Sequence, residues 1–154
     1  MGVKEFSLKL ADYQVIGLDT MGFIYHFEKN PTFGPLTRTF FQHLQEGEGK
    51  SQGIISVLVV GEVLTGAKKV GNDQMILVYR HIFSTFPNLT VADITTETME
   101  IMSDLRAKYG LRTPDTIHLA TALLNKAEGF LTNDKQLRQV DELDVIIWED
   151  YTPI

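Results

Sequence analysis

Short apolar runs alternate along this chain with amphipathic segments of helical length. The apolar runs predict strands at 13–19, 53–56, 89–91, 129–132 and 145–148. The segments between them predict helices at 20–27, 36–45, 57–66, 73–86, 96–109 and 113–124, with a short helix after 134. Strands that alternate with helices predict a three-layer α/β/α domain with a central, mostly parallel sheet of about five strands.

Capping and breaking residues mark several of the predicted helix ends. Ser56 is a predicted N-cap for a helix that reaches Gly66, and Gly110 is a predicted C-cap. The segment Gly47-Glu48-Gly49 is expected to end the helix before it. Thr113-Pro114-Asp115 combines a Thr N-cap, a Pro at the first helical position and an acid in the first turn. Asp115 is therefore expected at a helix N-terminus.

The length and composition indicate one folded domain, residues 1–154. The chain has no cysteine, which excludes disulfides, thiolate catalysis and Cys-ligated metal sites. Residues 1–14 carry four charged side chains and no uninterrupted apolar segment, so no signal peptide is expected. No apolar run approaches the roughly 20 residues needed to span a bilayer. We therefore expect a cytoplasmic protein that does not contact the membrane.

The net charge of −6 argues at first against a nucleic-acid partner, because phosphate-binding surfaces are usually basic. That argument weakens if part of the acidity forms a metal site. Asp19 and Asp134 follow predicted strands, at the sheet edge where parallel α/β folds build their sites. Asp115 begins a helix, and Glu62 is the one acid in an otherwise apolar helical segment.

Four carboxylates in one crevice would repel each other strongly and would need a cation to offset that repulsion. Carboxylate oxygens without His or Cys suit Mg²⁺ or Mn²⁺. Taken singly, each Asp can also be interpreted as a helix cap or a solvated loop residue. Glu62 is the hardest to explain in this way, because Leu58 and Gly66 at i±4 offer it no basic partner.

The residues around these acids resemble the four signature segments of PIN domains, and look most like the toxin nucleases of VapBC toxin–antitoxin pairs. The segments are 15–20, 55–66, 112–122 and 130–134. They occur in the family's order and extend over nearly the whole chain. The resemblance implies a single PIN domain that hydrolyses RNA with a metal-activated water, in which an antitoxin protein inhibits the nuclease.

By the same resemblance, Asp19, Glu62, Asp115 and Asp134 would be the catalytic residues and would hold one or two Mg²⁺ or Mn²⁺ ions. Thr132 and Asn133 would support the site from the last strand before Asp134. Arg112, Lys135 and Arg138 flank the acidic segments and are candidates for phosphate contacts, with ordinary surface charge as the alternative. His118, one helical turn beyond Asp115, could contact a scissile phosphate, but a core-edge or solvated histidine is the preferred interpretation.

The first two predicted helices carry many aromatic and aliphatic residues, most of which we expect in the core. They are Phe23, Ile24, Phe27, Phe40, Phe41 and Leu44. Any that remain exposed would form a groove for an amphipathic antitoxin helix or for a homodimer contact. Trp148 is expected to end the last strand and to serve packing.

Two other functions remain open at this point. A haloacid dehalogenase-type phosphatase also places an Asp after its first strand, but it needs a second Asp two residues later, where this chain has Met21. The second is a PIN fold that binds nucleic acid or protein with little or no nuclease activity. Retention of all four acids argues against that reading without excluding it.

Overall fold

The computed structural model describes residues 2–47 and 50–153, which form alternating helices and strands. The helices are α1 Val3–Leu10, α2 Thr20–Phe27, α3 Gly34–Glu46, α4 Val57–Lys69, α5 Asp73–Thr85, α6 Thr96–Tyr109 and α7 Thr113–Leu124. The strands are β1 Val15–Leu18, β2 Gln52–Ser56, β3 Leu89–Ala92, β4 Gly129–Thr132 and β5 Asp144–Ile147. Short 3₁₀-helices cover Lys135–Gln139 and Trp148–Tyr151. None of the described helices is long and apolar enough to cross a membrane.

The five strands form one parallel sheet in the order β3-β2-β1-β4-β5, which confirms the predicted fold class. In the central strand, Gly17 pairs with Ile54 on one side and with Phe130 on the other. Because all strands run in the same direction, the carboxyl ends of β1, β2 and β4 meet at one edge. This edge carries the residues that follow each strand, including Asp19 and Asp134.

Helices cover both faces of the sheet and give two hydrophobic clusters. One cluster contains the buried residues of α1 to α5, such as Phe23, Phe40 and Val59. The other is formed by α6 and α7 with β4, and includes Leu105, Leu119 and Phe130. At Gly17 the α7 layer lies so close that an added Cβ would stand 2.6 Å from the Cβ of Ala122. A larger residue at position 17 would push α7 off the sheet.

Helix α1 was not predicted, since the sequence analysis assigned no element before the first strand. Phe6 and Leu10 are fully buried, and the Phe6 ring lies 5.4 Å from the ring of Trp148. Lys9 pairs with Asp144 of β5 at 2.9 Å, and the Tyr13 hydroxyl donates to the same carboxylate. The helix has only eight residues and no side-chain N-cap, so its stability depends on this packing.

Several predicted boundaries shift in the structure. Helix α4 continues past Gly66 to Lys69, because Ala67 is buried in the core one turn after Val63. Helix α7 has Arg112 rather than Thr113 at its N-cap, without a side-chain capping bond. Strand β5 ends at Ile147, and the buried Trp148 begins the following 3₁₀-helix.

Other predicted boundaries hold in the structure. Ser56 and Gly110 cap their helices as predicted. Helix α3 ends at Glu46 as the Gly47-Glu48-Gly49 breaker predicts, although positions 48 and 49 lie outside the described residues.

Candidate active site

Asp19 joins the central strand to helix α2 and is held from two sides. Its Oδ1 accepts a hydrogen bond from the backbone N–H of Met21 at 3.2 Å, which caps α2. Its Oδ2 accepts from the hydroxyl of Thr132 at 2.7 Å. Thr132 ends the neighbouring strand β4 and is fully buried, so this contact follows from the pairing of β1 with β4.

Three consecutive residues at the end of β4, Thr132, Asn133 and Asp134, make different contacts. Thr132 Oγ1 also accepts from the backbone N–H of Asp134 at 3.0 Å, so one hydroxyl links two of the four acids. Asp134 Oδ1 accepts from the backbone N–H of Gln136 and caps the following 3₁₀-helix. Asn133 instead donates to the Tyr25 hydroxyl at 3.2 Å and accepts from the Glu149 backbone at 3.0 Å. Asn133 therefore anchors the loop through α2 and the last 3₁₀-helix.

Glu62 lies in the middle of α4 and is held by side chains from two other helices. Its Oε1 accepts from the Thr20 hydroxyl of α2 at 2.9 Å and from Nε2 of His118 of α7 at 2.9 Å. Thr20 and His118 are both buried, whereas the Glu62 side chain is 39% exposed. The carboxylate therefore faces solvent while one of its oxygens is fixed from the protein side.

Asp115 lies in the first turn of α7 beside an exposed cation. Its Oδ2 accepts from Nε of Arg112 at 3.0 Å. The Asp115 side chain is 16% exposed and that of Arg112 is 77% exposed, so the guanidinium covers the acid from the solvent side. Asp115 and His118 are separated by three positions on α7 and share one helix face.

The four carboxylates influence one another electrostatically. The pKa of Asp19 is raised to about 7, chiefly by burial and to a smaller extent by the charges of Asp115 and Glu62, against the lowering effect of its two hydrogen bonds. The pKa of Arg112 is raised chiefly by its hydrogen bond and charge contact with Asp115, with smaller contributions from Asp134 and Glu62. All four acids therefore contribute negative potential to one region of the surface.

This donor set fits a hard divalent cation in its chemistry. Among residues 2–47 and 50–153, no three acidic or imidazole side chains already stand together as metal ligands. The region nevertheless combines carboxylate oxygens with an Asp19 that is difficult to ionise, which is the condition that a cation relieves. Asp19, Glu62, Asp115 and Asp134 are the residues that could hold it.

His118 was interpreted from sequence as a core-edge or solvated histidine, and its contact with Glu62 was missed. The side chain is only 4% exposed, and burial lowers its pKa despite the opposing charges of Glu62 and Asp115. A neutral ring has one N–H, and we assign it to Nε2 because that nitrogen faces a carboxylate acceptor. The i+3 spacing from Asp115 was the available sequence signal.

The other candidate phosphate contacts are engaged elsewhere. Lys135 pairs with Glu149 at 2.7 Å, and Arg138 pairs with Asp150 at 2.7 Å. Both acids belong to the 3₁₀-helix after β5. Of the three cations singled out by the sequence, only Arg112 forms an ion pair with one of the four carboxylates.

An apolar groove of about 310 Å³ lies between α2, α4 and α5. Its apolar lining consists of Ile24, Phe27, Val63, Ala67, Val70, Met75 and Tyr79. Four of the six apolar residues singled out on the first two predicted helices are buried in the core, as predicted, whereas Ile24 and Phe27 are only partly buried. These two residues contribute the α2 side of the groove.

The family model for the PIN domain matches residues 16–143, a range that contains all four acids. The chain belongs to the PIN-domain family. Because the chain belongs to this family, the haloacid dehalogenase-type phosphatase is no longer an alternative. No curated protein matches the sequence. Helix α1 precedes the matched range.

Solved structures of toxin–antitoxin complexes share the fold. The PIN domain superposes on a toxin–antitoxin complex from Klebsiella pneumoniae with a TM-score of 0.66 and 25% identity, over 87% of this chain and 97% of that one. VapBC2 from Rickettsia felis, bound to a DNA fragment from its promoter, superposes with a TM-score of 0.70 and 18% identity, over 87% of this chain and 98% of that one. DNA-bound VapBC from Salmonella typhimurium superposes with a TM-score of 0.66 and 18% identity, over 88% of this chain and 98% of that one.

Proposed function

We propose that this PIN domain is an Mg²⁺- or Mn²⁺-dependent endoribonuclease that hydrolyses RNA phosphodiester bonds. The observation that carries the proposal is the grouping of acids that follow β1 and β4 with acids of α4 and α7: Thr132 binds both Asp19 and the Asp134 backbone, and the charges of Asp115 and Glu62 add to the burial that raises the pKa of Asp19. A protein keeps such an arrangement at a functional site more readily than in a structural core. RNA as the substrate makes the cytoplasm the expected compartment.

The four acids would hold the cation, which when bound supplies Lewis acidity and an activated water for attack on phosphorus. Thr132 keeps Asp19 oriented, and its second contact keeps the Asp134 backbone beside it. The reaction needs no covalent enzyme intermediate. The side chains of this chain therefore bind the cation, orient the carboxylates and neutralise charge at the site.

Arg112 is the proposed phosphate contact. Its guanidinium is exposed and has several N–H donors besides the Nε that binds Asp115, so it can bind a phosphate without leaving the acid. Lys135 and Arg138 flank the site and would have to exchange Glu149 and Asp150 for a phosphate. We therefore assign them a secondary role.

We further propose that the protein is the toxin of a toxin–antitoxin pair. All three solved structures described above are toxin–antitoxin complexes, and the Klebsiella complex is 25% identical to this chain. The groove between α2, α4 and α5 would take an amphipathic helix of the antitoxin, because its lining is mainly apolar and also includes the polar residues Glu28 and Asn72. Association of the purified protein with itself would instead point to a homodimer contact.

The test is cleavage of a structured RNA pool by the purified protein with Mg²⁺ or Mn²⁺. We expect cleavage to be lost with chelator and in Asp115→Asn, and to persist in Asp104→Asn, an exposed acid on α6. Metal binding is measured separately by calorimetry. Protein that is folded and binds metal but cuts no RNA would favour the alternative of a PIN-fold binding module.

A further inference from the structure

Glu62 is restrained in a way that the other three acids are not. Two side-chain donors, from Thr20 on α2 and His118 on α7, reach the same oxygen, Oε1. Asp19 receives one donor on each oxygen, and one donor is seen at a single oxygen of Asp115 and of Asp134. Among these four acids, only Glu62 has one oxygen that receives two side-chain donors.

The two contacts use the hydrogen-bonding capacity of Oε1. A carboxylate oxygen offers about two lone-pair sites, and Thr20 and His118 occupy both. No side chain or backbone group of the described residues donates to Oε2 of Glu62. Because the Glu62 side chain is 39% exposed, a solvent-borne cation can reach this carboxylate.

The geometry of His118 suits a fixed donor. Its Nδ1 is buried and has no hydrogen-bond partner. A proton on Nδ1 would leave a buried donor unpaired, whereas a proton on Nε2 is shared with the carboxylate, so the ring proton belongs on Nε2. With 4% exposure the ring is enclosed by the protein. His118 therefore presents an N–H to Glu62 in the folded protein.

We propose that Thr20 and His118 are positioning residues that fix Oε1 of Glu62 and leave Oε2 as the one Glu62 oxygen available to a divalent cation. This inference rests on the proposed function, since it assumes that Glu62 is a metal ligand. Glutamate is long and has several rotatable bonds, so fixing it in advance removes freedom that would otherwise be lost when the cation binds. Partners of metal ligands act in this way in metalloproteins generally.

The test compares Mn²⁺ affinity, by calorimetry and by electron paramagnetic resonance, between the wild-type protein and three variants. His118→Leu removes the donor, His118→Gln keeps an N–H donor on a side chain of similar reach, and Thr20→Val removes the hydroxyl at nearly constant volume. Thr121→Val is the matched control, because Thr121 is also buried but its hydroxyl donates only to the backbone of Ile117. Urea unfolding establishes that each variant is folded.

We expect His118→Leu to weaken Mn²⁺ binding by about 10–100-fold, Thr20→Val to weaken it in the same direction, and His118→Gln to recover most of the loss. Thr121→Val should bind like the wild type. Equal affinity in His118→Leu, Thr20→Val and wild type would overturn the positioning role while leaving the nuclease proposal intact. Equal losses in His118→Leu and His118→Gln would also overturn it, because packing rather than the donor would then matter.

The outcomes for the two proposals can be told apart. Wild-type protein that binds no Mn²⁺ would refute the metal site and the positioning role together. Wild-type protein that binds Mn²⁺ with the expected order among the variants, but cleaves no RNA, would support the positioning role and refute the nuclease.

Discussion

Neutralising Asp19 should stabilise the metal-free protein, and the gain should grow with pH. The pKa of Asp19 is raised from an ordinary value of 3.8 to about 7. A group with a raised pKa in the folded state contributes stability that is complete below its unfolded pKa and is lost as pH rises through the folded pKa. The cost of ionising Asp19 in the folded state therefore grows as pH rises from 3.8 to about 7 and is complete above that pH. Asp19→Asn carries no charge at any pH and escapes this cost.

The magnitude follows from the two pKa values. Between pH 5 and pH 8, the wild-type free energy of unfolding should fall relative to that of Asp19→Asn by about 2–3 kcal/mol. The amide also loses part of the hydrogen bonding from Thr132 and Met21, at a cost of about 1 kcal/mol, but this cost does not change with pH. The change with pH in the difference between the two free energies of unfolding therefore reports the ionisation of Asp19 alone.

The assay is urea unfolding of both proteins with chelator at several pH values, with Asp104→Asn as the control acid. A constant difference across the range would refute the burial argument for Asp19. Added Mn²⁺ at pH 8 should reverse the ranking, because a ligand that binds only the folded state stabilises it by mass action and Asp19→Asn lacks one carboxylate of the site.

Three further predictions concern the N-terminal helix, the rim of the site and the groove. Phe6→Ala should lower the free energy of unfolding by about 3–5 kcal/mol, because the ring is fully buried against Trp148, and a loss under about 1 kcal/mol would show that α1 is dispensable. Arg112→Gln should raise KM for RNA by about tenfold with little change in Mn²⁺ affinity, whereas Lys126→Gln, an exposed control, should change neither. Val70→Glu should abolish binding of a cognate antitoxin without reducing RNA cleavage, and binding by this variant as tight as wild type would exclude the groove.

The position of α1 bears on how this PIN domain is assembled. The helix precedes the residues that match the family model, yet it fills the core through Phe6 and Leu10 and is tied to β5 by Lys9. Burial raises the pKa of Tyr13 to about 12, with its hydrogen bond to Asp144 acting in the same direction, so this hydroxyl stays protonated across the physiological range. The N-terminal segment is therefore part of the folded unit.

Much of the candidate site was predictable because its signals are local. A short apolar run that ends in an acid predicts a buried strand with Asp19 at its carboxyl end, and the same pattern predicts Asp134. A Pro and an acid at a helix start predict the position of Asp115. A parallel sheet then brings such positions to one edge, because all of its strands point the same way.

The long-range contacts of Glu62 and Asp19 depend on tertiary packing. Glu62 and His118 are 56 positions apart, and Thr132 and Asp19 are 113 apart, so no local pattern relates them. Nor does any periodicity indicate that Asn133 faces away from the acids it adjoins. Hydrophobic spacing determines which face of an element is buried, whereas the packing of helices from different layers decides which polar groups meet there. The sequence by itself thus determined the fold class and the candidate carboxylates, and only the packed structure decided which distant side chains contact them.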